Sequence, residues 1–184
     1  ITPNIPEAEI LADMTIRDLL TMSSGFEPDW NMRNVQSDWV QSLLSKTVNH
    51  PGSHFKYDSM VSYLLSVIVQ KVTGETVLDY LNKRIFSKIG IDDAEWEMCP
   101  EGYCVGGWGL RMSTLSMAKF GQFLLNRGIW NGEQLLSSSW VREMMSVQQK
   151  ADKSRFYGFQ MWMHDDVDGA FRADGALGQY IIVA

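Results

Sequence analysis

The sequence predicts an α+β protein. Capped helical periodicity runs through the first 150 residues, and alternation of apolar and polar residues takes over between there and residue 184. The composition, 45% hydrophobic and 21% charged over 184 residues, is that of a globular chain able to bury a core, and it excludes intrinsic disorder. Elements of one kind followed by elements of another divide the chain into a mainly helical domain, 1–150, and a partial antiparallel sheet, 151–184.

In chain order, Thr15 and Asp18 pair as an N-cap and its third-position acid for a short helix carrying Ile16, Leu19, Leu20 and Met22, stopped by Ser23, Ser24 and Gly25. Ser37 is positioned to cap a second helix over 38–46, and Asn49, His50, Pro51 and Gly52 force a turn. Residues 60–72 are apolar on nearly every face, which predicts a helix buried all round and closed by Gly74. Thr76 and Asp79 open one further helix with a single apolar stripe, Leu78, Leu81, Ile85 and Ile89, up to Gly90. After the glycine-rich 106–109, Ser113 or Thr114 caps a helix bearing Leu115, Phe120, Phe123 and Leu124 that ends at Gly128. A last helix over 139–148 buries Trp140, Val141, Met144 and Met145.

Then the period changes. Tyr157, Phe159, Met161 and Met163 alternate with Gly158, Gln160, Trp162 and His164 as in a strand, Asp168 and Gly169 turn the chain into a strand over 170–173, and a final strand covers 179–183. A sheet with so few strands reads as incomplete, with an open edge through which the chain is expected to self-associate.

Charge and residue counts exclude several functions. A net charge of −6 without a basic run offers no field for a nucleic-acid partner, leaving a small-molecule or peptide-like substrate. The most apolar stretch, 60–72, is too short and too interrupted for a transmembrane span. Cys99 and Cys104 are too few for a four-ligand zinc site, and either pair or stay free; His50, His54 and His164 lack metal-ligand spacing, so no metal is expected. The acidic run 165–169 lacks the spacing of a calcium loop and reads as a solvated hairpin. Among the tryptophans, Trp30 in a polar loop and Trp108 among glycines are candidates to line a substrate cleft, the others core and rim packing.

Several segments carry a family resemblance in order. Residues 15–25 (TIRDLLTMSSG) are similar to the T-I-R-D-L-L-T-H-T-S-G segment of the penicillin-recognising serine hydrolases, which include class C β-lactamases, D-alanyl-D-alanine peptidases, esterases and aminohexanoate-dimer hydrolases. Pro51, Gly52 and the run Phe55, Lys56, Tyr57, Asp58, Ser59 resemble P-G-x-x-F-x-Y-S-N; Val72, Thr73 and Gly74 resemble V-T-G; residues 106–128 resemble the G-G-L-x-S-T and L-L-N-x-G run. The resemblance covers nearly the whole chain and implies a β-lactamase/transpeptidase-like fold, mostly the helical domain with a few antiparallel strands of an incomplete sheet.

It also implies acyl transfer to an ester, amide or β-lactam through a seryl ester, without a cofactor, in a periplasmic or extracellular setting. Tyr57 falls on the catalytic tyrosine of Y-x-N and Ser59 on its third position, where Ser replaces Asn. A phenol whose pKa is drawn down by cations is a base suited to a serine hydroxyl. Gly175 falls on the glycine of the K-T-G or H-x-G strand, and the Ala176 N–H on half of an oxyanion hole. Ala173 stands where the family has Lys or His, which favours an esterase or amidase over a β-lactamase. The nucleophilic S-x-x-K belongs a few dozen residues before Thr15. The two literal matches, at 53–56 and 116–119, are rejected, the first because it lies in a turn and the second because Lys119 reads as solvated. The chain is therefore expected to be a fragment, inactive alone. The alternative is a non-catalytic binding or assembly module that recruits a partner through the open sheet edge.

Overall fold

The computed structural model describes residues 8–29, 31, 34–36, 38–46, 48–163 and 169–184. They form two compact units, one of residues 1–78 with 96–110, the other of residues 79–95 with 111–184. The α+β class holds, but this grouping follows packing, whereas a division at residue 150 follows element type. Helices and short strands occur in both units.

In the first unit, α1 (Ala8–Ala12) leads to α2 (Ile16–Leu20), whose Thr15 and Asp18 make the reciprocal capping box read from the sequence. Ser37 lies outside the described residues. The cap of α3 (Trp39–Leu44) is Asp38, which accepts the Gln41 N–H at 3.1 Å. The long helix α4 (Ser59–Thr73) buries Met60, Val61, Tyr63, Leu64 and Val67 against α2 and its surroundings. Its last turn is a correction to burial all round, since Val72 is 79% exposed and only the first turns are covered. Gly74, at φ +71°, ends it in the left-handed region as expected.

A hairpin-like segment over 98–104 closes this unit. Its Cys99 and Cys104 are both buried and free. Cys99 pairs its backbone with Tyr103, while Cys104 bridges Met98. The Cys99 thiol lies 3.4 Å from the Tyr63 hydroxyl, and the Cys104 thiol donates toward Met98 Sδ at 3.6 Å. Burial first, then the Cys99 contact, pushes the Tyr63 phenol well above its ordinary pKa.

The single helix expected over 76–89 is instead α5 (Val77–Leu81), a π turn (Asn82–Phe86) and a 3₁₀ turn (Ser87–Ile89). The widened turn brings Phe86 inward, where it meets Phe120 edge-on at 6.3 Å. Strands β1 (Glu95–Trp96) and β2 (Leu110–Arg111) pair. Helix α6 (Thr114–Leu125) starts at a Ser113 cap, one of the two candidates in the sequence. It is followed by β3 (Ile129–Trp130) and β4 (Glu133–Gln134), which pair around Asn131 and Gly132, both at positive φ. That Asn-Gly turn was a hairpin signal in the sequence. Helix α7 (Ser138–Met144) buries Val141 but leaves Trp140 on the surface, and it ends before 148, whose N–H is donated to Tyr157 O at 2.9 Å just ahead of β5 (Gln149–Lys150).

The sheet of the second unit is antiparallel in the order β5, β6 (Phe156–Tyr157), β7 (Trp162–Met163), β8 (Phe171–Asp174), β9 (Tyr180–Val183). The strand expected through 157–163 is in fact a hairpin, with Tyr157 opposite Trp162 and Gln160 at φ 60° in its turn. Tyr157, Phe159, Met161 and Met163 are nevertheless all buried, so the alternation marked the correct inward side chains. Trp162 faces Arg172 and Met163 faces Phe171 across the next pairing; His164 and Asp168 lie outside the described residues. Helix α6 covers β9, with Gly121 letting Ile181 approach: a Cβ there would lie 3.1 Å from Ile181 Cγ2.

Two glycines test how far backbone geometry holds the first unit. Gly25 sits at φ +88° and an added Cβ would lie 2.1 Å from the Asn49 carbonyl oxygen, whereas Gly74 has open space around it. Gly25→Ala is expected to cost about 2–4 kcal/mol and Gly74→Ala about 1–2 kcal/mol. Urea midpoints at unchanged slope read the difference, and equal losses would contradict the contact.

Candidate active site

The chain approaches Tyr57 along a backbone ladder. Met22 O accepts the Lys56 N–H at 2.8 Å, Ser23 O the Gly52 N–H at 2.7 Å, and Gly25 O the Asn49 N–H at 2.9 Å, with Phe26 and Val48 bridged beyond. Met22 adopts φ 56° while fully buried, an uncommon conformation for a long side chain that turns its carbonyl toward Lys56. Lys56 itself forms an ion pair with Glu27 at 3.1 Å. The ladder delivers Tyr57 to the head of α4 with its side chain 39% exposed, and Ser59, the first residue of the helix, is buried behind it.

A second close approach covers this helix end. A Cβ on Gly107 would lie 2.2 Å from the Ser59 carbonyl oxygen, and one on Gly106 2.5 Å from that of Ser62. Only glycines allow the loop to lie directly on α4. Ser66 Oγ, one turn further on, donates to the Cys104 carbonyl at 2.6 Å and fixes the same loop. This places Trp108, half-buried, above the first turns of α4. Its carbonyl accepts the Trp96 indole N–H at 2.9 Å, and its ring leans on Trp39 at 5.8 Å, which in turn meets Tyr63 edge-on at 5.5 Å. Tyr57, Ser59 and Trp108 therefore belong to one structural neighbourhood, and Trp30 lies outside the described residues.

Between Tyr57 and Ser59 stands a residue to which the sequence reading gave no role. Asp58 is the N-cap of α4, accepting the Met60 N–H at 2.9 Å on Oδ1, while its buried Oδ2 has no hydrogen-bond partner among the described residues. Burial pushes its carboxyl above the ordinary aspartate pKa, against the pull of the Met60 N–H and of Lys46. Lys46 is ion-paired with Asp29, whose carboxyl is held below its ordinary value by that contact. An aspartate directly before an apolar helical run was a legible cap.

Gly175 and Ala176 belong to the second unit, at the turn between β8 and β9. Gly175 donates its N–H to Gln179 O at 2.7 Å, so that N–H is committed within the turn; a Cβ on Gly175 would lie 2.3 Å from the Gln179 side chain. Ala176 is exposed, and among the described residues nothing accepts its N–H. Asp174, in the place of the family threonine, is held by Arg172 Nε at 2.7 Å.

Neither internal S-x-x-K is built as a nucleophile. Ser53 Oγ donates to His50 O at 2.6 Å while Lys56 is paired with Glu27. Ser116 is buried and donates to Asp93 Oδ1 at 2.6 Å; its hydroxyl and that of Ser113 press the Asp93 pKa down to about 2. Lys119 is not simply solvated, as expected from the sequence, since its ammonium caps the Gly90 carbonyl at the end of the 3₁₀ turn. Among the described residues no cluster of His, Cys, Asp and Glu is arranged to hold a metal ion, and no helix is long and apolar enough to cross a membrane.

The family model described as Beta-lactamase matches residues 6–184. The chain is similar to a D-aminopeptidase of Brucella anthropi, 26% identical over 155 residues that make up 83% of this chain and 27% of that protein. It is similar to a 6-aminohexanoate-dimer hydrolase of Paenarthrobacter ureafaciens, 26% identical over 111 residues, 60% of this chain and 28% of that protein. In three dimensions it resembles a Bacillus anthracis structure assigned as a 6-aminohexanoate-dimer hydrolase, with a TM-score of 0.76 and 26% identity, covering 91% of this chain and 52% of that one. The chain thus spans under a third of the length of these curated relatives.

The zero-clearance contact at Gly107 is open to test. Gly107→Ala is expected to lower stability by about 2–3 kcal/mol and to change the near-ultraviolet circular dichroism of the Trp39–Trp108 pair. An unaltered aromatic spectrum in a folded variant would mean that the loop does not depend on this approach.

Proposed function

Since the chain belongs to the beta-lactamase family, we propose that it is part of a serine hydrolase that cleaves an ester or amide by acyl transfer through a seryl ester. The observation that carries this reading is the head of α4, where a partly exposed Tyr57 is delivered by a backbone ladder beside a buried Ser59 and beneath the loop of Trp108. Neither internal S-x-x-K is free for attack, so the nucleophilic serine is supplied from outside these 184 residues and the chain alone is inactive.

The serine oxygen attacks the substrate carbonyl while Tyr57, as phenolate, takes its proton. The C–O or C–N bond to the leaving group then breaks, the leaving group takes a proton, and water releases the acyl group by the reverse sequence. The carbonyl oxygen gains negative charge on the way, which a backbone N–H donor stabilises, the part that the family resemblance gives to Ala176. Ser59 supports the site as a polar group, with Trp108 lining the cleft. These steps use protein groups and water only. Ala173 leaves the strand without the family's cation, which disfavours substrates gripped by a carboxylate; the amide-cleaving names of the relatives support the amide arm.

Fluorophosphonate is expected to give no adduct by intact mass on the folded chain. A separately expressed segment carrying S-x-x-K from a relative is expected to restore ester or amide hydrolysis that Tyr57→Phe then lowers at least a hundredfold, the usual contribution of a positioned base being about 10²–10⁴. Labelling of any serine in the chain alone, or turnover indifferent to Tyr57→Phe, would overturn the assignment.

The β9 edge favours a second reading, an assembly module that pairs with a second copy of this chain. The stretch 179–184 carries no charge and no proline, Ile182 is 59% exposed, and a groove of about 380 Å³ lined by Met117, Gly121, Leu125, Ile181 and Val183 runs beside it. Light scattering is expected to show mass rising with concentration, reversed by Ile182→Lys. A monomer at every concentration would remove this reading.

A further inference from the structure

Met98 and Cys104 face one another across the short hairpin of the first unit, as a bridged antiparallel pair. The backbone bonds on either side, Cys99 N–H to Tyr103 O and Val105 N–H to Glu97 O, both at 2.9 Å, make this a non-hydrogen-bonded pair, the kind whose side chains stand closest. The Cys104 thiol donates to Met98 Sδ at 3.6 Å. The two sulfurs differ in access, since Cys104 is fully buried while Met98 is 44% exposed. Of the eleven methionines, Met32 lies outside the described residues, and among the others only Met98 is exposed. An open thioether thus covers a closed thiol.

The segment that carries Met98 also holds the loop of Trp108. The Trp96 indole N–H donates to Trp108 O at 2.9 Å, the Glu97 N–H donates to Gly109 O at 3.1 Å, and Glu97 O accepts the Val105 N–H. On the other arm of the hairpin, Ser66 Oγ donates to Cys104 O at 2.6 Å and the Gln70 side-chain amide to Gly102 O at 3.2 Å, both from α4. One arm grips the loop, the other is tied to the helix, and the sulfur pair lies where the two arms meet. A change at Met98 is therefore carried to residues 105–109 through backbone bonds one residue away.

We propose that Met98 is an oxidation site for hydroperoxides, and that its sulfoxide loosens the hold on the Trp108 loop. A lone pair of the thioether takes one oxygen of hydrogen peroxide and the O–O bond breaks. The sulfur is oxidised by two electrons, and the peroxide is reduced to water. The product is a polar side chain in place of an apolar one. Its new oxygen needs water or a strong donor, and the thiol facing it is a weak donor without exposed surface. The side chain turns outward, and Cys104 loses its cover. The role of Trp108 in lining a cleft rests on the function proposed above; the oxidation of Met98 and its effect on the loop do not.

Hydrogen peroxide on the folded 184-residue chain, followed by peptide mapping, tests the site. Met98 is expected to gain an oxygen before any other methionine of the described residues, and earlier oxidation of one of those would overturn the assignment. In the oxidised chain, Cys104 is expected to react with N-ethylmaleimide about tenfold faster, as for a local opening made ten times more frequent, and the near-ultraviolet circular dichroism of the Trp39–Trp108 pair is expected to change. Methionine sulfoxide reductases acting on both epimers are expected to reverse both effects. Met98→Leu keeps the contact apolar and is expected to abolish the response to peroxide, while Met98→Gln, a polar side chain of similar length, is expected to reproduce it without peroxide. A Met98 sulfoxide that leaves Cys104 labelling and the aromatic spectrum unmoved would overturn the coupling, as would an equal response in Met98→Leu. Should Met98→Gln fail to fold, the oxidised parent chain and Met98→Leu carry the test. No reading needs turnover, so failure of the hydrolase reading and failure of this one are separately visible.

Discussion

Backbone lying directly on backbone at the head of α4 is the constraint on which the first unit depends. Gly25 meets Asn49 on one side, and Gly106 and Gly107 meet Ser62 and Ser59 on the other, at separations no side chain could share. Once these contacts exist, little freedom remains for the residues between them. The ladder from Met22 to Gly25 sets the path of 49–56, the path sets where Tyr57 emerges, and the loop over Ser59 sets where Trp108 rests. The left-handed Met22 shows that local strain is accepted to keep this register, since its buried side chain would gain nothing from that backbone angle by itself.

Electrostatics at the same place are arranged with similar economy of partners. Lys56 pairs with Glu27 and Lys46 with Asp29, while one oxygen of Asp58 is buried without a hydrogen-bond partner among the described residues. In the second unit the charges serve structure instead. Asp93 gathers the hydroxyls and the backbone N–H at the head of α6, and Lys119 closes the turn at Gly90. The literal S-x-x-K there is thus a serine tied to Asp93 and a lysine that closes the Gly90 turn, and it shares a spacing with a catalytic motif by composition alone.

Much of this was legible in the residues. Caps and stops are local, so Thr15 with Asp18, Ser113, Gly74 and Gly90 could be placed from neighbours in the chain. Inward side chains were legible too, because alternation survives a tight turn; the turn at Gln160 was not, since it uses a residue without turn preference at a positive φ. The π turn at 82–86 keeps the same apolar stripe as an α-helix and leaves no separate mark. The pairing of the short strands near 95 and 110 is made by partners far apart in the chain rather than by strand-forming runs. At the candidate site, the family pattern singles out Tyr57 as an expectation, whereas the surroundings of the buried Asp58, with Lys46 and Asp29 acting on it, come from segments that one-dimensional spacing does not bring together.

The two cysteines carry one more consequence. Successive residues of an extended segment point to opposite sides, and with Cys104 bridged to Met98 and Cys99 bonded to Tyr103 the two thiols are held on opposite faces, one against Tyr63 and the other against Met98. Both thiols are free in the structure. The segment that supports Trp108 is therefore held without a covalent staple: its place rests on packing and on the hydrogen bonds that Ser66 and Gln70 donate to the Cys104 and Gly102 carbonyls.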